Sequence, residues 1–281
     1  MTKPAITGKG EFDMAAARTR YRQDGVVFVP GALSPQALQQ AQAAFDWSLA
    51  NPGPLASKIS QHSDALFYQD LNNLSCLPAY REMLLSSPLP RLVADLWGTP
   101  DVWFMYEQVF LKEGGESRRT PWHQDSSYLS IGGDDLAVVW ITFDSQAKED
   151  SLEFVLGSHK GPLYDGSSFE LDNDTAPLYP GGQLPRLPDI EANRKNYDIA
   201  SWAVEPGDVV IFHPQMLHGG APTHPGTRRR TLTLRFFGQS AVYEKRPGRP
   251  AGPNAPGLHE ALSHGDPFRN NWFLKLLPRA A

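Results

Sequence analysis

The strand-like segment Arg229-Arg230-Thr231-Leu232-Thr233-Leu234-Arg235-Phe236 constrains this chain more than any other. Side chains along an extended strand point alternately to its two faces. Arg229, Thr231, Thr233 and Arg235 therefore share one face, and Leu232, Leu234 and Phe236 share the other. A half-exposed strand would turn the polar face to water. A strand that closes a barrel would turn it inward, and a buried arginine then requires an anion. The planar guanidinium grips a carboxylate through two parallel hydrogen bonds, which a lysine cannot do.

Other strand-like runs occur at 102–112, 136–143, 152–155, 201–204 and 209–212, with turn residues between them. Strands in such succession predict a mainly β fold, a sandwich or barrel, with flanking helices packed on its outside. The helices are expected earlier in the chain, at 14–23, 34–51 and 79–97, with a short strand at 25–31. Ser34 has the residue type of an N-cap, and Pro35 sits where a missing N–H costs nothing. The whole reads as a single domain of 281 residues: N-terminal helices over about 10–100, a β core over about 101–240 and a tail over 241–281. The stretch 162–199 is rich in Asp, Asn, Pro, Gly and Tyr and long for a structureless connection, which predicts a functional lid loop.

Composition removes several function classes. No apolar run is long enough to cross a bilayer, and no charged-then-apolar leader opens the chain, so neither membrane nor secretion is expected. The lone Cys76 cannot form an internal disulfide, which points to a reducing compartment, the cytoplasm. A formal net charge of -5 leaves no basic stripe for phosphates, so no nucleic-acid partner is expected. The partner these features leave is a small-molecule substrate. Oligomeric state is not legible in the sequence.

Chemistry enters with His123-Gln124-Asp125. Residues i and i+2 of an extended segment share a face, so both side chains can reach one ion. Two imidazoles and one carboxylate hold ferrous iron on one face and leave the opposite face open. The third ligand must come from elsewhere among the eight histidines. Either His213 or His218 could supply it; Gly219 and Gly220 favour His218, because glycines let backbone approach an ion or cosubstrate closely. On the strand at 102–112, Tyr106, Gln108 and Phe110 share a face, and an inward amide at Gln108 would need a partner in the cosubstrate or a ligand carboxylate.

His123-Gln124-Asp125, the phrase Gly157-Ser158-His159-Lys160-Gly161, Pro206-Gly207-Asp208 leading to His218-Gly219, and Arg229 on the following strand together resemble the phytanoyl-CoA dioxygenase family. That family comprises Fe(II)- and 2-oxoglutarate-dependent oxygenases. The resemblance runs from Tyr21 to about Gly238. It implies a double-stranded β-helix, the jelly-roll or cupin-like fold, with His123, Asp125 and His218 binding iron and Arg229 holding the distal carboxylate of 2-oxoglutarate. Fe(II), 2-oxoglutarate and O2 are then the expected cofactors, and hydroxylation of a small organic metabolite with release of succinate and CO2 the expected reaction. Related halogenases lack the carboxylate that Asp125 provides, so hydroxylation is expected over chlorination.

The resemblance also places Trp140 beside the cosubstrate. Where the family often carries a serine after the distal histidine this chain has Gly220, and Thr231 or Thr233 is expected to do that work. Asp150-Ser151 and Leu156 are further departures. His159 and His213 are assigned structural roles. Tyr106, Ser126 and Arg235 are the substrate-facing candidates, Arg235 as partner of an anionic substrate group; Arg118 and Arg119 would flank the entrance as surface ion pairs. Two rivals use the same residues differently: a divalent-metal hydrolase, and a jelly-roll binding protein without turnover.

Overall fold

A computed structural model describes residues 12–58, 66–113, 119–170, 173–179, 181–220, 223–224, 226–248, 250–269 and 271–278. Helix α1 (Met14–Asp24) starts at Asp13, whose carboxylate accepts from the Ala16 N–H, and stops at Gly25 in the left-handed region. Strand β1 (Val26–Val29) and helix α2 (Pro35–Ala50) follow, the latter capped by Ser34 as its residue type predicts. Next come β2 (Ser57–Lys58), β3 (Leu66–Leu71), α3 (Leu77–Ser86) and α4 (Leu89–Trp97). The expected helix at 79–97 is thus two helices. Pro88 disfavours helical backbone at the residue before it, and Ser87 is accordingly extended.

Nine strands complete the core: β4 (Val102–Glu113), β5 (Thr120–His123), β6 (Ile131–Gly132), β7 (Leu136–Thr142), β8 (Leu152–Val155), β9 (Ile199–Ala200), β10 (Val209–Phe212), β11 (His218–Gly220) and β12 (Arg228–Phe237). The expected strand at 201–204 is absent. Only Val204 bridges, to Gln146, because Pro206 lacks an N–H and Gly207 turns the chain at φ 106°. The final segment adds β13 (Val242–Tyr243), helix α5 (Leu258–Ala261) and β14 (Leu274–Leu277).

The strands form two antiparallel sheets plus a β13–β6 pair. The large sheet runs β1-β10-β7-β12-β4-β3-β2, with β14 on β4; the small sheet runs β5-β11-β8-β9. This is the jelly roll. Strand β12 lies between β7 and β4, and its alternation decides how the layers stack. Leu232, Leu234 and Phe236 are fully buried in the cluster that the helices share with Val109, Leu111, Val139, Ile141 and Ile211. Each such burial stabilises by about 1.5–3 kcal/mol, so this face goes to the helices. The Arg229-Thr231-Thr233-Arg235 face must then point between the sheets, where all four are buried.

The segment after 240 is part of the core. Phe268 is fully buried, and its ring meets Phe237 at 5.2 Å and Phe273 at 4.9 Å. Among the described residues no helix is long and apolar enough to cross a membrane.

Candidate metal centre and adjoining cavity

Strand pairing sets His218 directly opposite His123 across β11 and β5, with their rings 4.2 Å apart. Asp125 is not on the strand. It opens a 3-10 turn, Asp125–Tyr128, and the extended backbone of Gln124 carries it to the same side as His123. Asp125 Oδ1 lies 3.5 Å from His123 Nε2 and 3.8 Å from His218 Nε2. The three donor atoms lie within 4.8 Å of one another, the one such cluster among the described residues.

Backbone carbonyls fix both tautomers. His123 Nδ1 lies 2.8 Å from Pro121 O, and His218 Nδ1 lies 2.9 Å from Met216 O. A carbonyl only accepts, so each Nδ1 carries the proton and each Nε2 presents a lone pair to the common point. Burial and the neighbouring His123 push His218 down to about 3, so it is neutral at pH 7. Burial alone would raise the Asp125 carboxyl, but the adjoining Arg235 guanidinium outweighs it and holds Asp125 well below the usual carboxylate range. Two imidazole nitrogens and one carboxylate suit a divalent cation, and the donor set fits ferrous iron.

Arg235 organises the other side of that carboxylate. Its Nη2 donates to Asp125 Oδ2 at 2.8 Å and to Gln108 Oε1 at 2.7 Å. Tyr106 lies under the guanidinium at 4.8 Å from the ring centre, on the strand directly opposite. Arg235 was expected at an anionic substrate group and Gln108 at the cosubstrate or a ligand carboxylate; in the structure Arg235 holds both Gln108 and Asp125. The charged group nearest Arg235 is the ligand carboxylate, and that attraction sets the arrangement.

A cavity of about 560 Å³ opens from the cluster between the sheets. Its walls include Tyr106, Gln108, Trp140, Arg229, Thr231, Thr233 and Arg235 from the large sheet, and Thr120 and Gly220 from the small one. Arg229 is 7% exposed, and burial pushes its guanidinium down to about 10 although Asp150 opposes the shift. Its Nε donates to Gln146 Oε1 at 2.8 Å and its Nη2 to Asp150 O. A dianion with one end at this arginine would lie against a buried guanidinium. Ser126 is not on the cavity wall. It is buried, and its N–H donates to Pro214 O, because the 3-10 turn rotates it away from the side Asp125 faces.

The sequence did not reveal what Gln124 does. This fully buried amide donates to Pro162 O at 3.2 Å and Gln215 O at 2.8 Å, and accepts from Tyr164 N at 2.8 Å. The Ser127 hydroxyl donates to Tyr164 O, the Tyr128 hydroxyl to Ser167 O and the Tyr179 hydroxyl to Ser127 O. The 162–199 segment is therefore stapled to the metal-bearing turn, and it lays Phe169 5.3 Å from the His123 ring and 5.8 Å from Tyr128. Gln124→Leu strands three part-buried backbone groups, and we expect about 1–3 kcal/mol lower stability with faster proteolysis inside 162–199. Unchanged urea midpoints and cleavage rates would contradict that role for the amide.

Arg119 is tied to Glu153 at 2.9 Å and to Glu191 of the 162–199 segment, while Arg118 lies outside the described residues. His213 is held by Gly133 O at 3.1 Å and His159 packs 5.7 Å from it, both apart from the metal cluster. The Ser158 hydroxyl accepts from Leu217 N and donates to Val155 O, fixing the approach to His218.

A sequence profile of the phytanoyl-CoA dioxygenase family matches residues 21–231. The chain belongs to this family. It is 24% identical over 170 residues to the peroxisomal phytanoyl-CoA dioxygenase of Homo sapiens, a match covering 58% of this chain and about half, 48%, of the human protein. Two solved structures share the fold almost end to end. The alpha-ketoglutarate-dependent carbocyclase SnoK of nogalamycin biosynthesis has a TM-score of 0.70 at 20% identity, covering 98% of this chain and 100% of that one. The epimerase SnoN, solved with Fe3+, alpha-ketoglutarate and a nogalamycin compound, has a TM-score of 0.68 at 19% identity, covering 94% and 98%.

Gly220 stands where the resemblance led us to expect a serine. A Cβ there would lie 3.2 Å from Thr120 Oγ1, so a neighbouring strand already supplies a hydroxyl to the space a serine would fill.

Proposed function

We propose that this protein is an Fe(II)- and 2-oxoglutarate-dependent oxygenase that hydroxylates a small organic molecule. The observation that carries the reading is the convergence of His123, Asp125 and His218 at one end of a cavity whose polar strand also presents buried Arg229. His123 Nε2, His218 Nε2 and Asp125 Oδ1 would hold the iron, and Arg229, with Thr231 and Thr233 along its strand, would orient the keto acid through its far carboxylate. Iron with O2 and 2-oxoglutarate supplies the oxidising power, and succinate and CO2 are the coproducts.

The chain itself supplies orientation and dryness. Trp140 and Phe212 wall the inner end of the cavity, and Phe169 on Tyr128 covers the imidazoles from the lid. Excluding water protects a reactive centre and strengthens every charge contact inside it. The cytoplasm is the compartment we propose, since the only cysteine, Cys76, is buried and free.

The test is succinate release with Fe(II), O2 and 2-oxoglutarate across small acids, acyl conjugates and aromatic metabolites. Arg229→Ala should weaken 2-oxoglutarate about 30-fold or more, the loss of about 2 kcal/mol or more that removing one partner of a buried charge pair brings. Turnover that continues without oxygen and without the keto acid would replace this reading with a hydrolase.

A further inference from the structure

We propose that the substrate carries an aromatic ring, and that Phe169 is the specificity residue against which that ring stacks. This rests on the oxygenase reading above and deepens it by naming the substrate class.

The first observation is a costly placement. Two non-glycine residues have positive φ among the described residues, Asn72 and Phe169. Asparagine tolerates that region; a bulky phenylalanine at φ 59° does not do so without strain. Of the three large apolar side chains that stand exposed among the described residues, Leu55, Leu74 and Phe169, only Phe169 lies on the cavity wall, 39% exposed. Backbone strain and an apolar side chain left partly to water both work against the folded state, and such outliers persist where the surroundings over-determine them. Here they do. The Tyr128 hydroxyl donates to Ser167 O, the Ser167 hydroxyl accepts from Phe169 N at 3.0 Å, and the Phe169 ring stacks on Tyr128 at 5.8 Å and 18°. Gly166 fits because a Cβ there would lie 2.9 Å from the Tyr128 ring. Tyr128 in turn closes the 3-10 turn that Asp125 opens, so the metal-bearing turn itself sets where Phe169 stands.

The second observation is what surrounds that place. The Phe169 ring centre is 5.3 Å from the ring of His123, so a group resting on Phe169 lies beside the metal cluster. Tyr106, Phe67 and Phe110 line the same cavity, the last two with rings 6.3 Å apart. Offset or edge-on ring pairs form at such separations and add about threefold to tenfold in affinity beyond the area they bury. A side chain needed only to shut out water could be leucine, which the strained backbone would suit no worse. The ring is what a planar, aromatic substrate would use.

The test uses full-length protein loaded anaerobically with Mn(II) and saturated with 2-oxoglutarate, so that binding is read without turnover. Calorimetry compares 2-naphthol with 2-decalol, and 2-phenylethanol with 2-cyclohexylethanol. Each saturated partner buries at least as much apolar surface, so burial alone gives no preference for the aromatic one. We expect the wild type to favour the aromatic member of each pair at least threefold. Phe169→Leu should remove that preference while 2-oxoglutarate affinity changes less than threefold, and Phe169→Tyr should keep it. Manganese content and melting temperature establish that each variant is loaded and folded; should the leucine variant fail either check, Phe169→Gly, which relieves the strained backbone, is read in its place. No aromatic preference in the wild type overturns the proposal. So does a preference that survives loss of the ring, which reduces Phe169 to a cover. Failure of the wild type to bind 2-oxoglutarate would sink the oxygenase reading itself.

Discussion

Asp125→Ala should abolish succinate release and, separately, destabilise the metal-free protein by about 3–5 kcal/mol. The two losses have different origins. Removing an outer-shell partner of a metal ligand costs roughly 10–100-fold in affinity or activity, and removing the ligand itself must cost more. The second loss comes from Arg235, which is 4% exposed and whose nearest charge partner is Asp125 Oδ2. Deleting the carboxylate leaves a buried guanidinium facing two imidazoles, and breaking a buried ion pair from one side is costly in this range. Replacing both partners is not: Asp125→Ala with Arg235→Met removes the stranded charge. Urea unfolding of metal-free protein should therefore show the double variant recovering much of the stability lost by the single one, while both remain inactive. A double variant no more stable than Asp125→Ala would mean that the ion pair contributes little and that the acid's role is confined to the metal.

The β12 strand was legible because one signal, a period of two, marks both of its faces from Thr231 to Phe236, and burial then decides which face goes inward. Strand β3 gave no such signal. Leu66 and Tyr68 pack toward the helices, while Phe67, Gln69 and Leu71 line the cavity, so apolar residues occur on both faces and the alternation vanishes. The C-terminal β14 hid for a related reason, since Leu274, Leu276 and Leu277 show no period and the strand's partners, Val102 to Phe104, are far away in sequence. At the metal, residue types and a one-residue gap pointed to His123 and Asp125, but the 3-10 turn that begins at Asp125 depends on contacts with Pro214 and the lid. The bonds of Gln124 are of the same kind. Two of its partners are backbone carbonyls brought near by tertiary folding, and no residue type announces a carbonyl. Glu107 could have been found: it shares a strand face with Val109 and Leu111, and an acid on an otherwise apolar face is a signal in itself.

Glu107→Gln should raise stability at pH 8 by about 3 kcal/mol and leave it unchanged at pH 4. Glu107 is 2% exposed, and burial raises its carboxyl from the ordinary 4.5 to about 7, although the N–H of Asn73 and the thiol of Cys76 both donate to it. The folded state therefore holds its proton more tightly than the unfolded chain does. Its contribution is fully present below about pH 4.5 and is lost as pH rises through about 7, which over the shift in pKa amounts to about 3 kcal/mol. A glutamine keeps an acceptor for Asn73 and never ionises, so its own pH term is flat. Urea midpoints measured from pH 4 to pH 8 should converge at the acid end and separate steadily toward the alkaline end. Parallel profiles would show that Glu107 is charged in both states and that Asn73 and Cys76 outweigh its burial. Cys76 follows the same logic: burial, joined by the neighbouring Glu107, pushes its thiol up, so it should resist alkylation at pH 8 in the folded protein.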